Sequence, residues 1–302
     1  MPCVPTIRWK RLKPKVKQTD EIWTTLKVLT WTAGYLADKG VENARREAEW
    51  LLCESTGLDR VGLYLAFDKP LLDAELATYR ALVARRGKRE PLQHILGSQE
   101  FDGLTFKVSP AVLIPRHDTE TLLEVALSHA PQARSILDIG TGSGCIAISL
   151  AHRLPLAQVT AVDLSSEALI VAIRNAASNN VSIDFLQGSF FEPVANRRFD
   201  LIVSNPPYIT TADLSELQPE VRDFEPHLAL DGGLDGLDAY RTLTRAAPQY
   251  LNPGGWVLFE VGAGQAGDVS NLLAESGFDA IVTVPDYSGI QRVVGGMWHG
   301  AF

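Results

Sequence analysis

From about residue 134 onward the chain alternates short apolar runs with amphipathic stretches, and this limits the fold more than any other feature. Runs at Ser135–Ile139, Gln158–Val162, Ser182–Leu186, Asp200–Val203 and Trp256–Val261 have the length and residue types of strands. Between them lie helical stretches: one through Leu150, one at Glu167–Ala177 and one around Leu237–Tyr250. After a last helix, two closing strands are expected near Phe278–Val284 and Gln291–Val294. Strands separated by helices pair in parallel through right-handed crossovers. The expectation is an α/β fold, a parallel-dominated sheet with helices on both faces.

The first third reads differently. Residues 1–19 carry six Lys or Arg, no acid, and Pro2, Pro5 and Pro14, the composition of a flexible basic tail. Residues 20–90 read as an N-terminal helical domain. Ile22, Leu26, Leu29 and Leu36 recur at helical spacing, Asn43–Cys53 is rich in helix formers, and Asp73 is the expected N-cap of Ala74–Arg86. No residue there has evident chemistry, so its expected work is binding a partner or supporting the larger domain. Residues 91–115 read as a β-hairpin linker, with strands at Gln93–Gly97 and Leu104–Val108 and turns at Gly97 and Gly103. Residues 116–302 form the expected catalytic domain, opening with a helix near Thr119–Ala130.

Net charge is −8 but unevenly spread: beyond residue 19 there are 22 basic residues against 36 acidic ones. From Phe199 to the end, 14 acids face four arginines. Such a surface suits a basic protein partner better than a phosphate backbone. The three cysteines lack metal-ligand spacing, so no metal is expected. No apolar run approaches the ~18 residues of a membrane span, and the basic N-terminus lacks a signal peptide's apolar stretch. A cytoplasmic monomer with reduced thiols is expected.

Asp138-Ile139-Gly140-Thr141-Gly142-Ser143-Gly144 joins the first strand of the alternating region to its helix. Glycine accepts positive φ in a tight turn and lets a ligand approach the backbone. The carboxyl edge of an open α/β sheet is where such ligands bind. A dinucleotide fingerprint would need a third glycine where Cys145 stands. The spacing of Gly140, Gly142 and Gly144 better resembles the loop of Rossmann-like methyltransferases, which faces the methionine part of S-adenosylmethionine. Asp163 ends the second strand, where a carboxylate can take both ribose hydroxyls or cap the next helix. Asp138 can reach a ligand amine or support the loop.

Ser204-Asn205-Pro206-Pro207-Tyr208 follows the fourth strand. Two prolines fix φ and remove donors, leaving the Asn205 side-chain oxygen and the Pro206 carbonyl as acceptors. An amide or aromatic amine has its lone pair delocalised and is a poor nucleophile. Two acceptors on its N–H groups orient it and push density onto nitrogen, while the Tyr208 ring can lie on its flat face. Placement and electrostatics then supply most of the rate of a methyl transfer, with no strong general base. The residues alone leave the acceptor open among DNA adenine, RNA guanine and protein glutamine.

The chain resembles the HemK/PrmC family, protein-(glutamine-N5) methyltransferases of peptide chain release factors, from about residue 20 to 295. The resemblance rests on Pro91-Leu92-Gln93-His94-Ile95-Leu96-Gly97, Leu113-Ile114-Pro115-Arg116, Asp118-Thr119-Glu120, the glycine loop, Ala161-Val162-Asp163 and Ser204 to Ile209. Phe224-Glu225-Pro226, Gly232-Gly233-Leu234-Asp235-Gly236-Leu237 and Pro253-Gly254-Gly255 extend it. It implies a Rossmann-like, class I domain with a seven-stranded sheet, preceded by a small helical bundle and a hairpin linker. It implies S-adenosylmethionine contacts at Gly140, Thr141, Gly142, Ser143, Gly144, Asp163, Phe190 and Asn205, with the Phe190 ring flanking adenine. Asn205, Pro206, Pro207 and Tyr208 are implied to hold the glutamine of the Gly-Gly-Gln motif in class I release factors. The departures are His117 where the family usually has proline, Phe190 where tryptophan is common, and the turn Asp286–Arg292.

Overall fold

The computed structural model describes residues 22–300; the expected basic tail, 1–19, lies outside them. The chain divides into two compact units between Leu96 and Gly97.

The first unit is helical: α1 (Thr25–Asp38), α2 (Ala44–Thr56), α3 (Arg60–Leu65), α4 (Asp73–Arg86) and α5 (Leu92–Leu96). Leu29, Leu36, Leu51, Leu52, Tyr79 and Ile95 meet in its core. The buried Glu49 is pushed up by burial, but hydrogen bonds from Arg60, Arg45 and Tyr64 outweigh this and hold its pKa below the usual value. Two expectations change. Asp73 is the first helical residue, not the cap; Glu75 reaches back to accept the Leu72 N–H at 2.7 Å. The strand expected at Gln93–Gly97 is the helix α5. Pro91 presets its first turn, its carbonyl accepting from Ile95 N at 3.1 Å, and Gly97 at φ +72° ends it.

The second unit starts with the hairpin β1 (Ser98–Phe101) and β2 (Leu104–Lys107), with Ser98 opposite Lys107. Phe101 and Phe106 are buried in this unit's own core, which anchors the hairpin to it. Then come α6 (Thr119–His129), β3 (Ser135–Ile139), α7 (Cys145–Arg153), β4 (Gln158–Asp163), α8 (Ser166–Ser178), β5 (Asp184–Gln187) and β6 (Phe199–Ser204). The chain closes with α9 (Pro219–Arg222), α10 (Asp238–Ala246), β7 (Leu251–Glu260), α11 (Ala266–Glu275), β8 (Asp279–Pro285) and β9 (Gln291–Trp298).

The seven-stranded sheet runs β5-β4-β3-β6-β7-β9-β8. Its first five strands are parallel, and β9 pairs antiparallel with both β7 and β8. Successive residues of the central strands serve opposite faces. Ile136, Leu201, Val203 and Leu258 pack on one side with α6 and α7. Leu137, Ile202, Val257 and Phe259 pack on the other with α10 and α11. The strand order reverses between β3 and β6, which puts a ligand crevice at their carboxyl ends. No helix among the described residues is long and apolar enough to cross a membrane.

Candidate active site

The glycine loop is held from below. Gly140 N and Thr141 N donate to Val162 O at 2.8 and 3.1 Å, and Thr141 Oγ1 donates to Asp138 Oδ2 at 2.6 Å. Asp138 is fully buried, and burial pushes its carboxyl up to about 7 against the pull of the Thr141 hydroxyl. A Cβ built at Gly140 (φ +74°) or Gly142 (φ +56°) would meet nothing within 4 Å, so the loop borders open space. Gly144 (φ +82°) differs: its Cβ would meet Ile148 Cδ1 at 2.9 Å and Ala172 Cβ at 3.2 Å. Glycine there lets α7 and α8 approach each other.

Asp163 accepts Gly142 N on Oδ2 and Ser165 N on Oδ1, both at 2.8 Å. It is not the cap of α8, whose cap is Ser165, accepting from Ala168 N at 3.2 Å. Burial holds the Asp163 pKa above the ordinary value. Phe190 follows β5 at φ +47°, a left-handed conformation uncommon outside glycine.

The tetrad continues β6. Ser204 Oγ donates to Ile139 O at 2.6 Å and so ties this strand end to the glycine loop. Asn205 Nδ2 donates to Thr119 Oγ1 at 3.3 Å. Distant glycines press against the tetrad backbone. A Cβ on Gly232 would meet Pro207 O and Tyr208 Cα at 2.8 Å, and one on Gly262 would meet the Tyr208 ring at 3.0 Å. The Gln265 amide bridges the loops, donating to Tyr208 O at 2.9 Å and accepting Gly262 N at 3.0 Å.

One cavity gathers these pieces. Gly140, Thr141, Gly142, Ser143, Asp163, Phe190, Asn205, Pro206 and Pro207 all line it. Gly144 and Tyr208 do not. The Tyr208 ring packs against the core beneath α10 and α11, and burial pushes its phenol up to about 12. Among the described residues, no group of three or more His, Cys, Asp or Glu is placed to hold a metal ion.

Several wall and support residues escaped the sequence reading of the site. Arg116 and Thr119 line the cavity. Arg116 pairs at 2.6 Å with Glu225, whose pKa burial raises despite that partner. Glu260 lies at the end of β7, buried and pushed up to about 7 by burial. A charge inside the apolar run Val257-Leu258-Phe259-Glu260-Val261 was its signal in the sequence.

Sheet order, glycine loop and cavity together define a class I, S-adenosylmethionine-dependent methyltransferase of Rossmann-like fold. Residues 27–97 match the family described as PrmC N-terminal domain, and residues 116–234 match the methyltransferase small domain. A "Release factor glutamine methyltransferase" from Geobacter sulfurreducens is 62% identical over 91% of this chain and 97% of its own length. One of the same name from Chlorobaculum tepidum is 42% identical over 90% and 97%. Among solved structures, a methyltransferase from Pyrococcus furiosus shares the fold with TM-score 0.51 and 20% identity, over 72% of this chain and 99% of its own. The chain belongs to the release factor glutamine methyltransferase family.

Proposed function

We propose that the enzyme transfers a methyl group to the side-chain amide nitrogen of a glutamine, the one in the Gly-Gly-Gln motif of class I release factors. The observation that carries this is a single cavity wall shared by the glycine loop, Asp163 and the first three residues of the tetrad.

The residues present fit S-adenosylmethionine. The open space over Gly140 and Gly142 would take the methionine end against backbone. Asp163, whose oxygens each keep acceptor capacity beyond one backbone bond, would receive the ribose hydroxyls. The Phe190 ring would flank the adenine. Bound there, the ligand supplies an electrophilic methyl on a sulfonium and leaves as S-adenosylhomocysteine, and the donor set calls for no metal.

The rest is the work of the tetrad. Asn205 Oδ1 and the Pro206 carbonyl accept the two N–H groups of the glutamine amide and aim its nitrogen at the methyl. Pro207 removes a competing donor and stiffens the loop. Tyr208 lies outside the cavity wall, and its assigned part is a ring face for the amide, which enters from beyond that cavity. The nitrogen loses its proton after methylation has made it acidic, so a buried base is not needed. Preorganised acceptors and alignment supply the rate.

The helical unit, with Val61 and Leu65 of α3 exposed, is assigned to holding the protein substrate. Four arginines against 14 acids from Phe199 onward speak against a nucleic-acid acceptor and for direct action on protein. The test is methyl transfer from labelled S-adenosylmethionine to a release factor, with the label located by mass spectrometry. Label on the Gly-Gly-Gln glutamine is expected. An unlabelled glutamine, beside a control enzyme that does label it, sinks the reading.

A further inference from the structure

Glu260 is 2% exposed, and its Oε2 atom has no hydrogen-bond partner among the described residues. A carboxyl group buried this way is costly unless the site uses it. Its backbone is fixed, since Glu260 O accepts from the Tyr240 hydroxyl at 2.7 Å and Val261 N donates to Arg292 O at 2.8 Å. Parallel pairing sets Phe259 beside Ser204, which brings the next residues, Glu260 and Asn205, to the same edge.

Thr119 and Asn205 are the polar side chains whose hydrogen-bonding groups pull the Glu260 pKa down against burial, which sets both beside its carboxyl. Asn205 Nδ2 already donates to Thr119 Oγ1. The Thr119 hydroxyl proton is then free to go to the carboxylate. A bond from it to Glu260 would complete a chain from amide N–H through hydroxyl to carboxylate, in which each bond strengthens the next. An asparagine amide has no orientation of its own; its surroundings decide which end faces which way. Acceptors on one side of Asn205 draw its nitrogen inward and leave its oxygen for the cavity.

We propose that Glu260 is a positioning residue for methyl transfer, its carboxylate acting with Thr119 to hold the Asn205 amide oxygen toward the acceptor nitrogen. This rests on the role assigned to Asn205 above. Protonation undoes the arrangement, because a carboxylic acid donates where the carboxylate accepted. Burial pushes Glu260 up to about 7, so the switch falls within the working range. The charged and titratable groups around it are Arg292 of β9, which pulls its pKa down, and Asp118 before α6, which pushes it up. Tyr208, Tyr240 and Cys145 also feel its charge, and burial raises all three above their ordinary values. Neither the glutamine amide, Asn205 nor Thr119 titrates near neutrality.

The test uses the full-length enzyme, a release factor and labelled S-adenosylmethionine from pH 5.5 to 9. Wild-type kcat should fall as pH drops through about 7. Glu260→Gln should lose about tenfold or more in kcat at pH 8, a cost typical of misplaced reacting groups. Its S-adenosylmethionine Kd by calorimetry and its KM for the release factor should stay within about twofold of wild type, and its acid limb should vanish. A folded Glu260→Gln enzyme with wild-type kcat, an unchanged acid limb, or an equal loss of cofactor affinity overturns the proposal. If that variant does not fold, Thr119→Val breaks the same chain and must show the same kcat-specific loss. A wild-type enzyme that leaves the glutamine unlabelled refutes the function itself, a different result from a variant that behaves as wild type.

Discussion

Two buried carboxyl groups stand near the carboxyl ends of β3 and β7, and burial raises both to about 7. Asp138 lies under the glycine loop and is engaged by Thr141, three residues on. Glu260 lies under the tetrad, and the groups that face it, Thr119 and Asn205, are far away in sequence. One half of the cavity is therefore built on a short loop whose own Thr141 engages its buried carboxyl and which is tied to the neighbouring strand through Val162 and Asp163. The other half is assembled by strands, loops and a helix start that meet only after folding. The local half is suited to binding, and the long-range half to placing reacting atoms.

The sharpest break between the halves is Asn205→Ala. Removing one preorganised group at the reacting centre should lower kcat by about 100-fold to 1000-fold. Asn205 contributes a single 3.3 Å side-chain bond to the fold, so circular dichroism and Tm should stay close to wild type. Loss of S-adenosylmethionine affinity should be the smaller effect. Turnover that survives the substitution would contradict the division outright.

Asp163→Ala probes the local half and should invert the pattern. Loss of charge-assisted hydrogen bonds should raise the S-adenosylmethionine Kd by about 10-fold to 100-fold in calorimetry. Gly142 N also loses its acceptor, which loosens the loop and adds to the affinity loss. At saturating S-adenosylmethionine, kcat should recover most of its wild-type value. A low kcat with an unchanged Kd would place Asp163 with the chemistry and dissolve the contrast.

The same division explains what was legible in the sequence. Seven consecutive residues, Asp138 to Gly144, announced the glycine loop because its geometry is local. The tetrad was readable as chemistry for the same reason, since Pro206 and Pro207 fix their own backbone. Its supports were not. Nothing near Gly232, Gly262 or Gln265 says that they press on residues 207 and 208, because those contacts join segments more than twenty residues apart and exist only after folding. Gly144 shares the motif, but its Cα packs against Ile148 and Ala172, a contact that no local pattern announces. The expectation for Gln93–Gly97 fails because five residues with only Ile95 and Leu96 apolar are too short to separate strand from helix, and Pro91 decides it. The parallel-dominated sheet followed from the alternation, since strands separated by helices pair through parallel crossovers, whereas the order of the strands is set only on folding.

The smallest expected effect isolates Asp138 from Glu260. The folded-state pKa of Asp138, about 7, lies above its ordinary 3.8 because of burial, with the negative charge of Asp163 adding to it and the Thr141 hydroxyl and Ala147 backbone N–H opposing it. Between those values the folded protein keeps a proton that the unfolded chain has released. The stabilising contribution of this group is therefore fully present below about pH 4 and is lost as pH rises to about 7. Asparagine cannot titrate and can still accept the Thr141 hydroxyl. The Tm of Asp138→Asn minus that of wild type should accordingly grow from pH 5 to pH 8, by a few degrees for a contribution of about 1–2 kcal/mol. Differential scanning calorimetry of both proteins across that range checks it. Parallel curves would mean that Asp138 is already charged in the fold. Because its partner is local and distant from Asn205 in the bonding chain, the acid limb of kcat should persist in Asp138→Asn. Loss of that limb would assign the proton that controls turnover to the glycine loop, and the two buried carboxyls would no longer divide the site between them.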